Sequence, residues 1–142
     1  MKVQGLLSIL ALFIILNCGD SVYAQAPKVV KNTFKKMYPG ENDPDWHEDD
    51  HGNFEANFKQ DGIKYRADYA PNGSWIETET SIKKEDLPKA IREIIKSDFE
   101  DEEITEIEKV EHHSKGTFYD VEFKRKGKNK DVEFTASGEI IN

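Results

Sequence analysis

The chain has 142 residues, carries a formal net charge of −8 and contains a single cysteine, Cys18. This acidic balance argues against nucleic acid and anionic membranes as partners, because both attract basic patches. The length suits one domain, and the absence of cysteine after Cys18 excludes disulfides and a thiol nucleophile from the rest of the chain.

The segment from Met1 to Ala24 has the pattern of a secretory signal peptide. The apolar run over residues 6–16 is too short to span a bilayer, and the sequence VYA ending at Ala24 suits signal peptidase. We therefore expect cleavage after Ala24, which leaves residues 25–142 as one periplasmic or secreted domain without a membrane span. The alternative is a lipid-anchored protein in which Cys18 is lipidated, although the residue before it is larger than a lipobox prefers.

The next segment predicts a helix and then a short strand. Pro27 begins "PKVVKNTFKKMYP", and proline is tolerated in the first turn because its missing N–H would be unpaired there. The apolar residues that share one face of this helix are Val30, Phe34, Met37 and Tyr38. Trp46 then heads an alternating strand within "DPDWHED".

Histidines and carboxylates cluster in "HEDDH", which begins at His47. Such side chains could bind a divalent cation, so a metal or small-ligand sensor is the alternative function. The residues that it would use are His47, Asp49, His51, His112 and His113. A strand would hold the first two histidines roughly 13 Å apart, and residues 50–53 read as a turn. The simpler interpretation is a solvated acidic turn, and no cofactor is expected.

Three strands separated by glycine turns are predicted next. Phe54, Ala56 and Phe58 alternate with polar residues, which is typical of a half-buried antiparallel strand. Gly62 and Gly73 each follow a polar residue where a tight turn needs a positive φ. The residues predicted to face the core from the following strand are Tyr65, Ala67 and Tyr69.

The second half of the chain begins with another predicted helix, opened by Pro88 and with Asp86 as a plausible cap. Its apolar face comprises Ile91, Ile94, Ile95 and Phe99. The acidic run "DFEDEEITEIE" that starts at Asp98 is interpreted as a solvated loop and an edge strand, where charges discourage edge-to-edge pairing. The alternatives are a docking patch for a basic partner and a weak calcium site, although the run lacks the glycine and the ligand spacing of a calcium loop. "KRKGKNK", starting at Lys124, reads as a basic hairpin tip.

An internal repeat ties the two halves together. The aromatic and glycine residues of the first half recur in the second half at one constant spacing, with no gap. The matched pairs are Phe54 and Tyr119, Phe58 and Phe123, Gly62 and Gly127, Tyr69 and Phe134, and Gly73 and Gly138. We therefore predict an α+β fold in which a unit of one helix and three to four antiparallel strands occurs twice, over about residues 27–80 and 86–142, with both helices on one face of the sheet.

Short motifs in a distinctive order support a resemblance to a known family. A helix ends in "F-x-x-x-Y-P", a tryptophan follows, and "G-S-W-I-E-T-E" precedes "L-P-x-A-I". With the signal sequence, this order resembles the PepSY-like, β-lactamase-inhibitor-like proteins secreted by Gram-negative bacteria. The matching residues are Phe34, Tyr38, Pro39, Trp46, Gly73, Trp75, Glu77, Thr78, Glu79, Leu87, Pro88 and Ile91. The resemblance implies a sheet curving under two helices and provides no catalytic residues.

The predicted function is that of a non-catalytic binding module. No G-x-S-x-G turn, phosphate loop or thiol that would indicate an enzyme is found after Cys18. We expect a protein or peptide ligand, with enzyme inhibition implied by the family name, to bind the hydrophilic face of the sheet. The residues predicted to carry the contacts are Glu55, Asn57, Lys59, Lys64, Arg66, Asp68, Glu122 and Lys124.

Overall fold

The computed structural model describes residues 25–141, which form two helices and one seven-stranded antiparallel sheet. The strands follow one another across the sheet in chain order. The first half contains α1 (Lys28–Met37), β1 (Asp45–Glu48), β2 (Phe54–Gln60), β3 (Ile63–Tyr69) and β4 (Trp75–Ser81). The second half contains a 3-10 turn (Lys84–Asp86), α2 (Lys89–Asp98), β5 (Ile104–His112), β6 (Gly116–Phe123) and β7 (Lys130–Phe134). The predicted signal peptide, its cleavage after Ala24 and the lipidation alternative at Cys18 lie outside these residues.

The first half of the sheet is held to α1 by aromatic side chains. Phe34 is 2% exposed, and its ring centroid lies 5.2 Å from that of Phe58 and 5.4 Å from that of Trp46. Such ring pairs add about 0.5–1.5 kcal/mol beyond the area that they bury. Tyr65 packs against the same cluster, as predicted, and so does Trp75.

The second half has a separate and mainly aliphatic core beneath α2. Its buried residues are Leu87, Ile91, Ile95, Ile107, Val121, Phe123, Val132 and Phe134. The helix positions that contact this core match those of α1 at a constant spacing, so that Ile91 corresponds to Val30 and Ile95 to Phe34. The two cores are distinct clusters that share one sheet.

A polar seam separates the two cores on the helix side of the sheet. Thr78 and Thr80 of β4 pair with Glu111 and Lys109 of β5, and these pairs lie on the same side as the helices. Thr78 is 5% exposed and its hydroxyl is 2.7 Å from the Tyr38 hydroxyl and 3.0 Å from Trp75 Nε1, which donates to it. The hydrophobic contacts of each helix are therefore confined to its own half.

Two turn glycines at matching positions of the repeat each lie close to a helix. A Cβ on Gly73 would lie 2.7 Å from Val29 Cγ2, and a Cβ on Gly138 would lie 2.6 Å from Ile94 Cδ1. Both glycines also have positive φ angles, +87° and +92°. Each turn thus needs glycine for its backbone conformation and for the close approach of its helix.

Three details differ from the sequence predictions. β5 lies between β4 and β6, so the acidic run does not form an edge strand. Ile107 of β5 and its neighbour Val121 of β6 are buried beneath α2. Met37 lies at the end of α1 and is 40% exposed. Asp86 does not cap α2, because it belongs to the preceding 3-10 turn and its carboxylate accepts a hydrogen bond from the Lys83 N–H.

Candidate functional site

The candidate site is the sheet face opposite the helices, which we call the polar face. Register fixes its composition, because residues that face each other on adjacent strands project to the same side. Across the middle of the sheet one row runs through Asn57, Arg66 and Glu79. A parallel row runs through Glu55, Asp68, Glu77 and His112.

Arg66 is the centre of the first half of the polar face. Its guanidinium forms an ion pair with Glu79, and its Nε lies 3.6 Å from Asp68 Oδ2 and 3.9 Å from Glu55 Oε2. The side chain of Glu79 is only 10% exposed. A partly buried arginine of this kind compensates the charge of neighbouring carboxylates.

The second half of the polar face carries opposing carboxylates instead. Glu108 faces Asp120 across β5 and β6, and Asp120 faces Glu133 across β6 and β7. The next pairs along the strands are Glu106 with Glu122 and Glu122 with Asp131. Cβ atoms of directly opposed residues are about 4.5–5.5 Å apart, and like charges at that distance destabilise a sheet.

These carboxylates line a cavity of about 310 Å³. Its walls are Arg66, Glu79, Glu106, Glu108, Asp120, Glu122 and Asp131. A neighbouring cavity of about 290 Å³ shares Arg66, Glu79, Glu106 and Glu108 and extends toward Asn57. Together the two cavities form a groove, which runs from β2 to β7 across the polar face, and Arg66 is the one cation among the described residues that line its acidic end.

Burial shifts the pKa of several carboxyl groups in the groove and that of Asp68, which lies beside it. Burial raises the pKa of Asp68 to about 7, although Arg66 opposes the shift. Burial, with Asp131 and Glu133 nearby, raises the pKa of Asp120 to about 6. Burial also raises the pKa of Glu79 against the attraction of Arg66, and it raises the pKa of Glu108, which lies beside Glu79. These carboxyl groups therefore keep their protons to a higher pH than exposed carboxyl groups do.

Three buried carboxylate oxygens in or beside the groove have no hydrogen-bond donor within the described part of the chain. They are Asp68 Oδ1, Glu79 Oε2 and Asp120 Oδ1. Glu79 is 8% exposed as a residue, and Arg66 binds only its other oxygen. Buried acceptors without a donor cost about 1–3 kcal/mol each, so these oxygens need a donor from water or from a ligand.

Most of the predicted contact residues do lie together. Glu55, Asn57, Lys59, Lys64, Arg66 and Asp68 project from β2 and β3 on the polar face, and Glu122 projects from β6 on the same side. Lys124 follows β6 and forms an ion pair with Glu103, 2.9 Å away, outside the groove. That these residues bind a ligand stays a prediction.

The residues of the metal alternative lie in two separate places. His47 is on β1 and His112 on β5, with three strands between them. Asp49 accepts hydrogen bonds from the backbone N–H groups of His51 and Asn53, both at 2.8 Å, and so stabilises its own turn. Across residues 25–141, no three histidine or acidic side chains are arranged to hold a metal ion.

The second pair of histidines is used locally. The rings of His112 and His113 stack with centroids 4.7 Å apart. His112 Nδ1 accepts hydrogen bonds from the backbone N–H groups of Ser114 and Lys115, at 3.1 and 3.2 Å. Nδ1 is therefore occupied in closing the turn between β5 and β6.

Sequence reasoning identified only part of the acidic end of the groove. Glu106 and Glu108 belong to the acidic run that was interpreted as a solvated loop and edge strand, and Glu122 was a predicted contact residue. The residues not assigned to a site were Asp120, Asp131 and Glu133, together with the buried Glu79. The repeat held a signal for some of them, because the spacing that relates Phe54 to Tyr119 also relates Arg66 to Asp131, which replaces a cation by an anion. Because Glu122 was already predicted to lie on the polar face, this reversal sets two carboxylates opposite each other there.

Residues 52–142 match the family described as "Putative beta-lactamase-inhibitor-like, PepSY-like". The chain belongs to this PepSY-like family. Its fold is similar to that of a "BLIP-like protein" from Bacteroides fragilis, with 21% identity, a TM-score of 0.72, and coverage of 87% of this chain and 89% of that one. It is also similar to a "putative periplasmic" protein from Bacteroides eggerthii, with 22% identity, a TM-score of 0.75, and coverage of 84% and 88%. No curated protein matched the chain significantly.

The family is described by inhibition rather than by catalysis, in agreement with the sequence prediction of a binding protein. Likeness at this level of identity establishes the fold alone, and the same fold can hold unrelated functions. Within residues 25–141, neither helix is long and apolar enough to cross a membrane.

Proposed function

We propose that this PepSY-like protein is a non-catalytic binding module that recognises a protein or peptide through its polar face. The observation that carries the proposal is the groove across β2–β7, whose walls are polar side chains on the side away from both helices. A face covered by neither helix, with unsatisfied buried carboxylate oxygens, is a surface prepared for a ligand. The β-lactamase-inhibitor-like description of the family also favours a protein partner.

The protein acts in the periplasm or outside the cell in this proposal. The signal-peptide pattern of residues 1–24 supports export, as does the description of the B. eggerthii structure as a "putative periplasmic" protein. Mass spectrometry of the mature amino terminus from the native host is expected to find a chain that begins after Ala24. A diacylated or triacylated Cys18 would instead establish the lipid-anchored alternative.

The proposal includes a duplicated unit of helix and strands. Its support is that positions related by the constant spacing of the repeat have the same roles: Ala56 and Val121 are both buried beneath a helix, and Gly73 and Gly138 both touch one. Superposition of the backbone of residues 54–73 on that of 119–138 in a crystal structure is the direct test. Strand directions or turn positions that differ between the segments would contradict duplication.

Site-specific photo-crosslinking tests the proposed binding face. A photoreactive amino acid replaces Asn57, which lines the groove, and in a matched variant it replaces Arg92, which is exposed on α2. In the native envelope, we expect one discrete adduct from position 57 and none from position 92. Adducts of the same size from both positions, or none from position 57, would contradict binding through the polar face.

A further inference from the structure

We propose that the acidic end of the groove is a subsite for a lysine or arginine side chain of the partner. This inference rests on the proposed function and assigns the partner's chemistry. The subsite lies on the polar face over β5, β6 and β7. Glu79 and Arg66 line it on the side of the first half. The charge of its walls, the burial of its carboxylates and the comparison with the first half of the sheet each support it.

The first half of the polar face already contains the arrangement that we propose for the bound subsite, a basic group surrounded by carboxylates. There the chain supplies its own guanidinium, and Arg66 contacts Glu55, Asp68 and Glu79. The position that corresponds to Arg66 in the second half is Asp131. The second half therefore places a carboxylate where the first half has its central cation.

The opposed carboxylates of the second half repel one another in the free protein, where the Glu122 carboxylate accepts hydrogen bonds from Thr105 and Asn129. Glu122 lies between two other acids, Glu106 on β5 and Asp131 on β7, in direct cross-strand register. An inserted ammonium or guanidinium group would turn these repulsions into charge-assisted hydrogen bonds. The cavity of about 310 Å³ has room for the end of one long basic side chain.

Glu79 shows that the site points to a ligand rather than to solvent. It is nine-tenths buried, lines the cavity, and has one oxygen, Oε2, without a donor among the described residues. The remaining charge around it comes from Glu77 on its own strand, Arg66 on β3 and Glu108 on β5. Asp120 adds a second donorless oxygen and faces Asp131, Glu133 and Glu108. A cationic donor with several N–H groups would satisfy both acids.

Calorimetry with a synthetic peptide tests the subsite. The probe is a short glycine-serine peptide with two lysines, and its control has norleucine in place of both lysines. We expect the lysine peptide to bind and the norleucine peptide not to bind. Spermidine is the third ligand, because it offers the same ammonium groups without a peptide; tighter binding of spermidine than of the lysine peptide would overturn a protein side chain as the ligand.

Two variants with the same net charge locate the binding. Glu106→Gln with Glu122→Gln removes one opposed pair from the cavity, and glutamine keeps the oxygen that accepts from Thr105 and Asn129 at position 122. Glu93→Gln with Glu100→Gln removes two exposed charges elsewhere. We expect at least about a tenfold loss of affinity in the first variant and less than about twofold in the second. Equal losses would mean diffuse attraction and overturn the subsite.

Proton release provides a readout that simple surface attraction does not produce. Because the carboxyl group of Asp120, which lines the cavity, holds a proton below a pKa of about 6 that a cation must displace, binding should tighten as the pH rises toward that value, by up to about tenfold per pH unit. The measured heat should also differ between phosphate and Tris buffers. A buffer-independent heat and a flat pH profile would overturn the proposal.

The two proposals can fail separately. If the lysine peptide binds but crosslinking from position 57 gives no adduct, the proposed function is contradicted while the subsite is still supported.

Discussion

The two halves of the sheet each lie beneath one helix but differ in charge on the polar face. In the first half, Asn57 faces Arg66 across β2 and β3, whereas the corresponding pair in the second half is Glu122 and Asp131. On the helix face the matched positions Ala67 and Val132 are both buried and apolar. The comparison teaches that the fold depends on one set of alternate residues, so that the other set is free to become a binding surface.

The two cores differ in a second way. Phe34 in the first core contacts the rings of Tyr38, Trp46, Phe58 and Tyr69, while Ile95 at the matched helix position packs in a mainly aliphatic cluster. Aromatic rings bury more area per residue than isoleucine does. Stability should therefore be more sensitive to single substitutions in the first half than in the second.

The largest effect is expected from truncation of these helix residues. Phe34→Ala should lower the free energy of unfolding by about 3–5 kcal/mol, because it removes a ring with several ring partners. Ile95→Ala should cost less, about 2–4 kcal/mol. Urea denaturation of both variants measures the difference. A larger loss from Ile95→Ala would contradict the ranking of the two cores.

Smaller losses of stability are expected at the turn glycines. There the cost of the positive φ angle can be separated from the cost of a clash between the new Cβ and α1. Gly73→Ala should cost about 2–3 kcal/mol, because its Cβ meets the Val29 side chain and also backbone atoms 3.2 Å away. Gly62→Ala is the control, because the φ angle is also positive, +81°, but no atom lies within 4 Å. It should cost about 1 kcal/mol. Thermal unfolding of both variants checks this, and equal losses would show that the contact is unimportant.

The carboxylates of the groove should make stability depend on pH. A carboxyl group whose pKa is raised by folding stabilises the protein most below its unfolded pKa, about 4, and this contribution is lost as the pH rises through its folded pKa. Those folded values are about 6 for Asp120 and about 7 for Asp68. We expect unfolding to become easier between pH 5 and pH 8, by roughly 1–2 kcal/mol.

The Asp120→Asn variant isolates one of these groups. Because asparagine cannot titrate, the fall in melting temperature between pH 5 and pH 8 should be smaller than in the wild type. Glu93→Gln removes the same charge from the surface of α2 and should keep the wild-type slope. An unchanged slope in Asp120→Asn would show that burial of Asp120 has little influence on its titration.

The smallest effect is expected outside the groove. Lys124 and Glu103 form an exposed ion pair, and such pairs contribute about 0–1 kcal/mol. Lys124→Ala should therefore change the free energy of unfolding by less than about 0.5 kcal/mol and leave binding of the lysine peptide unaltered. Weaker peptide binding in this variant would mean that Lys124 belongs to the binding surface, as the sequence predicted.

Much of the fold follows from the sequence because simple patterns determine it. Alternation in β2 and β6 predicted the burial of Phe54, Phe58 and Phe123, and glycine at positions 62 and 73 predicted turns with positive φ. These signals are local, since they depend on the next residue but one along a strand or on backbone sterics.

The site was harder to predict because its residues meet only in the folded sheet. A register irregularity between Ile104 and Glu106 breaks the alternation at the start of β5, and Val110 places an apolar residue on the polar face. Because of both features, the sequence of β5 reads as a charged surface segment, although β5 is a central strand. The burial of Glu79 depends on β3 and β5 lying on either side of it, which no local pattern in "WIETE" reveals.

The polar seam between the two cores has a consequence for how the molecule opens. Because Thr78, Thr80, Lys109 and Glu111 interrupt the hydrophobic contacts, we expect α1 and α2 to detach from the sheet independently of one another. Amide hydrogen exchange should then report two cooperative units with their own opening free energies. A ligand in the groove touches strands of both units, so its binding would join them into one and slow exchange throughout the domain.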